Sequence, residues 1–313
     1  MQDREAHDKG SPMGISRRSA LYALVVAAAG TLAGGVRGAA EAPDNHALRV
    51  RFLGTGAADW NGPDARGERR RLSSILLENA VLIDYTRTAR DMLPADARPH
   101  TIFYTHSHDD HFDPEAALAL GSVKRVYAHA SWAKGLREDF AAAAAKRGCA
   151  CPQLMTLAFG ETATVAGLRM TSLPANHVTS RAGEHCSMYL VEKNATRLLY
   201  ATDTAGIPAE AAVLAGIDAH RHPGKPITAL IMEATMGLGH EDDFRLYTHS
   251  SVATVAQTVR VLTKTGRYRP SEGQRVWLTH LARTLHGAQA ELERAFPAPL
   301  APAFDGLEIT LRA

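Results

Sequence analysis

Between Thr105 and His111 the chain reads Thr-His-Ser-His-Asp-Asp-His, which places His106, His108, Asp110 and His111 within six positions. Three imidazoles and a carboxylate are borderline-to-hard donors, suited to zinc, with manganese or iron as competitors. An apolar run at 101–104 precedes the segment and reads as a buried strand. Asp113-Pro114-Glu115 follows, offering an N-cap, a proline at the first helical position and an acidic first turn. The four donors therefore sit in a loop held by a rigid element on each side, as a metal site requires. A histidine-rich surface loop would need neither the strand, nor the cap, nor this order of residue types.

A strand followed by His-x-His-x-Asp-His resembles the signature of the metallo-β-lactamase superfamily, and the resemblance covers most of the chain after residue 48. It implies a four-layer αββα sandwich of two mixed β-sheets flanked by helices. It also implies three further ligands, each at the end of a strand. His177 follows the run 168–173, Asp203 closes Leu-Leu-Tyr-Ala-Thr-Asp, and His280 closes Val-Trp-Leu-Thr-His. On this carry-over His106, His108 and His177 hold one divalent ion, Asp110, His111 and His280 hold a second, and Asp203 lies between them. His240, His249 and His286 are rivals to His280 for the last position. His46, His100, His129, His185, His220 and His222 read as structural or surface residues.

Two such ions, roughly 3.5–4 Å apart, share a water whose pKa falls from 15.7 to about 7, so a bridging hydroxide becomes the expected nucleophile. Asp110 and Asp203 would offset the metal charge and orient that water. His249, in Tyr-Thr-His-Ser-Ser, is the candidate proton donor to the leaving group. The segment resembles the His-Ser-Thr element of the tRNA 3′-processing endonuclease branch. Leu278-Thr279-His280-Leu281-Ala282-Arg283 resembles the last-histidine motif of that branch and of its small-molecule phosphodiesterase relatives. Phe52-Leu53-Gly54-Thr55-Gly56 and the 69–74 segment agree with the same branch. The cysteine-rich zinc loop of some such phosphodiesterases has no counterpart between Gly56 and Ser73, and no long insertion resembles an arm for gripping tRNA.

The elements that must position these residues alternate along the chain. Strands are expected at 48–53, 74–77, 81–83, 101–104, 126–129, 162–165, 168–173, 188–191, 198–201, 229–232, 276–278 and 307–311. Helices are expected at 114–120, 132–146, 209–214, 251–263 and 288–296, the second because alanine dominates it. Hairpin-like groups of strands punctuated by helices favour two mixed sheets face to face over a single doubly wound sheet. Gly54-Thr55-Gly56 lacks the third glycine of a dinucleotide fingerprint, and a tight turn accounts for it. Arg69-Arg70-Arg71 reads either as a phosphate contact or as a solvated loop.

Residues 1–40 carry a paired arginine at 17–18, an apolar stretch at 21–36 and small residues at 38–40, the three parts of an export signal. The pair resembles the twin-arginine type, which carries folded proteins. An uncleaved anchor is the alternative, although the apolar stretch is short for the ~20 residues of a spanning helix. Domain organisation is thus expected to be a signal at 1–40 and one hydrolase domain at 41–313, in a periplasmic or secreted protein. Membrane contact is expected only through the signal before its cleavage.

The signal holds five basic and three acidic side chains of the chain's 35 and 33, so the remainder has no net formal charge. Such a body is a poor nucleic-acid binder, and a small-molecule substrate is expected instead. A homodimer is an open alternative to a single copy. Cys149 and Cys151 are too close in sequence for an unstrained disulfide, and Cys186 lies in an apolar run. A metal-dependent phosphodiesterase on a small ester is the leading expectation. A lactonase or amide hydrolase of the same fold, or a non-catalytic metal sensor, are the alternatives.

Overall fold

The computed structural model describes residues 47–218 and 224–313. The expected export signal, His46, His220 and His222 lie outside the described residues.

Runs with apolar residues on both faces need cover on both sides, and the structure supplies it with two seven-stranded sheets. Strands β1 (Leu48–Gly54), β2 (Ser74–Leu77), β3 (Val81–Ile83), β4 (Thr101–Phe103), β5 (Arg125–His129) and β6 (Gln153–Leu157) build one sheet. The last strand, β14 (Glu308–Leu311), joins its edge beside β1, giving the order β14-β1-β2-β3-β4-β5-β6. The other sheet uses β7 (Thr162–Val165), β8 (Leu168–Pro174), β9 (Ser187–Lys193), β10 (Thr196–Ala201), β11 (Ala229–Glu233), β12 (Val276–Thr279) and β13 (Leu300–Pro302), in the order β13-β12-β11-β10-β9-β8-β7. Each sheet is mixed. β14-β1-β2-β3 and β7-β8-β9-β10 run antiparallel, whereas β3-β4-β5-β6 and β10-β11-β12-β13 run parallel.

Side-chain alternation divides the core into three layers. Val81, Ile83 and Phe103 meet Met170, Tyr189, Val191 and Ile231 between the sheets. The intervening Leu82 and Ile102 point outward, under α1 (Pro114–Ala119) and α2 (Ala133–Arg147), where they join Leu136 and Phe140. On the opposite side Leu199, Leu230 and Leu278 pack under α3 (Ala209–Leu214), α4 (Val252–Lys264) and α5 (Gln289–Ala295). Helix, sheet, sheet and helix give the expected four-layer αββα sandwich.

All twelve expected strands and five expected helices form, with ends displaced by at most two residues. The two strands not expected, β6 and β13, are both sheet edges with a single partner. β6 is mostly solvated on its free side and β13 ends in proline, so neither carries a clear apolar pattern. Asp113 caps α1 as expected, accepting from Ala116 N at 2.9 Å, and Ser251 caps α4 in a reciprocal box with Thr254.

Two sequence readings need correction. Neither Gly54 nor Gly56 adopts a left-handed turn conformation. A side chain on Gly54 would overlap the Leu72 carbonyl, and one on Gly56 would strike the Trp60 ring. These glycines permit close approach of the 70–72 backbone. That neighbouring arginine segment is not a solvated loop throughout. Arg70 is buried, donating to Thr55 Oγ1 (2.8 Å), Ala303 O (2.8 Å) and Gln289 Oε1 (2.6 Å), and Arg71 pairs with Asp91 and Asp305. All three cysteines are free, and Cys186 is buried. No helix among the described residues is long and apolar enough to cross a membrane.

Candidate metal centre

The site lies where strands of both sheets end. Asp84 follows β3, the His106–His111 loop follows β4, His177 follows β8, and Asp203, Glu233 and His280 stand at the ends of β10, β11 and β12. Asp84, Asp203 and His280 all have left-handed backbones, with φ of 54°, 47° and 54°. That conformation is uncommon outside glycine and costs energy, so three instances around one point mark backbone held to aim side chains.

The structure brings together all seven residues expected as ligands. His106 Nε2 lies 3.0 Å from His108 Nδ1, which lies 3.2 Å from His177 Nε2. His111 Nε2 lies 3.3 Å from Asp110 Oδ2 and 2.9 Å from Asp203 Oδ2. His280 Nε2 lies 3.3 Å from both Asp110 Oδ2 and Asp203 Oδ1. Asp203 Oδ1 is 3.8 Å from His177 Nε2, so this carboxylate reaches both halves of the cluster. Tetrahedral zinc with ligands at 2.0–2.1 Å would set its donors about 3.3 Å apart. The observed separations suit such a polyhedron. Of the expected rivals, His286 Nε2 instead meets Ala234 O at 2.7 Å, and neither it nor His240 joins a group able to hold an ion.

Two further observations fit divalent ions here. His111 Nδ1 lies 2.7 Å from Asp84 Oδ2, so the neutral ring keeps its proton there and presents a bare Nε2. That Nε2 is buried without a hydrogen-bond partner of sound geometry. The charge balance also asks for cations. Burial alone would push the Asp110 and Asp203 carboxyls up, but the surrounding imidazoles hold both well below the usual range. Burial likewise opposes charge on His111, yet Asp203, Asp110 and Asp84 pull its pKa well above the ordinary value. Protein alone balances the carboxylates only by charging a buried histidine, a task divalent ions would take over.

Outer residues fix the rings. Thr105 Oγ1 lies 2.9 Å from His106 Nδ1, Thr235 Oγ1 lies 2.8 Å from His280 Nδ1, and Thr248 O lies 3.2 Å from His177 Nδ1. Asp84 also accepts from Thr105 N and Oγ1, both at 2.8 Å, and Glu184 accepts from Ser107 N and Oγ. Replacing Asp84 with asparagine should weaken metal binding about 10–100-fold while leaving the fold intact, as other partners of ligating histidines do. Titration against a chromogenic chelator reads the change directly; unchanged affinity would show that Asp84 does not orient His111.

His249, expected as a proton donor, stands beside the cluster. Its ring stacks on His280 at 5.5 Å between centroids and lies 4.8 Å from His177. Nδ1 lies 3.0 and 3.3 Å from the two oxygens of Glu233, which is buried and also accepts from Thr204 N. Burial would lower the His249 pKa, but Glu233, with Asp203 and Asp110 beyond it, raises it to about 9.

The sequence reading missed Asp84 and Glu233. Each is an acidic residue closing an all-apolar strand, Val81-Leu82-Ile83-Asp84 and Ala229-Leu230-Ile231-Met232-Glu233. An acid at the end of an apolar strand, as Asp203 also stands, is a signal that could have nominated both.

A two-sheet sandwich with His-x-His-x-Asp-His at its strand ends defines a metal-hydrolase class, and the chain belongs to the beta-lactamase superfamily, whose domain profile matches residues 80–281. Solved structures of the same fold include a diphosphatase of the PhnP family, at 20% identity over 85% of this chain and 99% of that one, with a TM-score of 0.59. Zn(2+)-bound PqqB from Methylobacterium extorquens matches at 18% identity over 83% and 99%, with a TM-score of 0.59. The short form of human tRNase Z matches at 18% identity over 85% and 100%, with a TM-score of 0.60. Among curated protein sequences none matches.

Proposed function

We propose that this chain is a binuclear metal-dependent phosphodiesterase acting on a small ester, with His106, His108, His177, Asp110, His111, Asp203 and His280 as the ligand set. The carrying observation is His249, fixed by Glu233 against the same cluster. Bound divalent ions would supply Lewis-acid polarisation of the phosphoryl oxygen and acidify water to near-neutral pKa. The chain's own residues manage the protons. Asp110, kept ionised by His111 and His280, would offset the metal charge and orient the attacking water. Glu233 holds His249 by Nδ1, leaving Nε2 to donate a proton to the departing oxygen. No serine or cysteine nucleophile is needed.

The names of two fold relatives, a diphosphatase and a tRNase Z, accord with phosphoryl chemistry. A lactonase or amide hydrolase is the second reading. It is favoured by a cavity beside His177 that, among the described residues, no lysine or arginine lines. Protein loaded with zinc or manganese is expected to cleave bis(4-nitrophenyl) phosphate faster than it opens a γ-lactone or a chromogenic cephalosporin. Lactone opening without diester cleavage would transfer the proposal to the second reading. Export through residues 1–40 to the periplasm or beyond belongs to the same proposal.

A further inference from the structure

A cavity of about 470 Å³ shares His177 with the candidate metal centre. Its volume falls in the range of small-molecule sites, roughly 300–1,000 Å³. One wall is a ring cluster. Phe159 lies 4.1 Å from His129 and 5.8 Å from His185 between centroids, and the two imidazoles are 5.4 Å apart. None of these three belongs to the ligand set. Glu184 and Glu210 complete the polar lining, and among the described residues no lysine or arginine contributes. Both Glu184 oxygens are occupied by Ser107, which leaves Glu210 as the carboxylate open to a ligand. His129 accepts from Ser131 N through Nδ1, and burial holds its pKa near 4, so it adds no positive charge.

Flat rings of this kind favour a flat ring, by offset or edge-to-face contact. A carboxylate in such a lining favours hydrogen-bond donors and repels anions. We infer that this cavity is the subsite for the part of the substrate retained after cleavage, and that it takes a planar aromatic group bearing N–H donors and no negative charge. The inference rests on the phosphodiesterase reading for its placement next to the reaction, but not for the binding itself. Phe159 and His185 supply the stacking surface, and Glu210 selects the charge.

Three diesters sharing a 4-nitrophenolate leaving group separate the possibilities, with 4-aminophenyl, methyl or 4-carboxyphenyl as the retained ester. The metal-loaded protein should prefer 4-aminophenyl over methyl by about 10-fold in kcat/KM, mostly through KM, in line with base–aromatic stacking. The 4-carboxyphenyl ester should fall below the 4-aminophenyl one. Phe159→Ala should bring the aminophenyl-to-methyl ratio near unity. Glu210→Lys, a surface change that spares the fold, should invert the order of the aminophenyl and carboxyphenyl esters. Equal rates for the three esters, or ratios unmoved by both variants, would overturn the subsite. If no diester is cleaved, the functional reading fails and binding of 4-aminobenzamide, followed by saturation-transfer NMR, decides the subsite alone. Binding lost in Phe159→Ala upholds it, and no binding to the unaltered protein overturns it.

Discussion

Asp203→Asn is expected to lower kcat/KM on a diester by about 10³-fold or more and to reduce bound metal below two ions per chain. Asp203 is the carboxylate that comes within 3.8 Å of His177 Nε2, 2.9 Å of His111 Nε2 and 3.3 Å of His280 Nε2. Asparagine replaces one of its two donor oxygens with a non-coordinating NH2 and removes the negative charge shared by both halves of the cluster. Losing several kcal/mol of transition-state stabilisation corresponds to about three decades in rate. Asparagine is the informative substitute because it keeps the shape and tolerates the left-handed backbone that Asp203 adopts. The fold should therefore survive, as a thermal unfolding transition would show. Two ions retained at full activity would mean that Asp203 serves only the backbone turn.

His249→Ala should separate chemistry from metal binding. With the ring gone, turnover is expected to fall about 10²–10⁴-fold, the usual contribution of a positioned general acid, while metal content stays the same. The loss should shrink as the leaving group becomes more acidic, since 4-nitrophenolate departs with little need of a proton. Glu233→Gln should reproduce part of the defect, because the Nδ1 contact at 3.0 Å orients the ring and favours its charged form. Metal loss in His249→Ala would assign the residue to the ligand set, which its place in a group with His177 and Asp203 makes geometrically feasible. Equal losses for good and poor leaving groups would remove its role as proton donor.

Much of the architecture could be read from residue order because its strands are buried between layers. Central strands such as β4 and β10 must be apolar on both faces, and their ends are marked by abrupt polar residues. β6 escaped because an edge strand needs only one neighbour and little cover, and β13 because a buried three-residue Leu-Ala-Pro run is too short to show a period. The His106–His111 segment was legible by local spacing alone. His177, Asp203 and His280 became legible through resemblance, since the fold rather than the chain makes them neighbours. Asp84 and Glu233 depend on contacts across 27 and 16 residues, which spacing does not encode. Arg70 shows the converse error: a basic run that looks solvated includes a buried arginine holding strand ends together.

The central claim is that these seven residues hold two divalent ions. Elemental analysis of the purified chain, paired with anomalous diffraction at the metal edges, tests it most directly. Two ions per chain are expected, one among His106, His108 and His177, the other among Asp110, His111 and His280, with Asp203 reaching both. One ion or none after loading with zinc, manganese and iron in turn would contradict it.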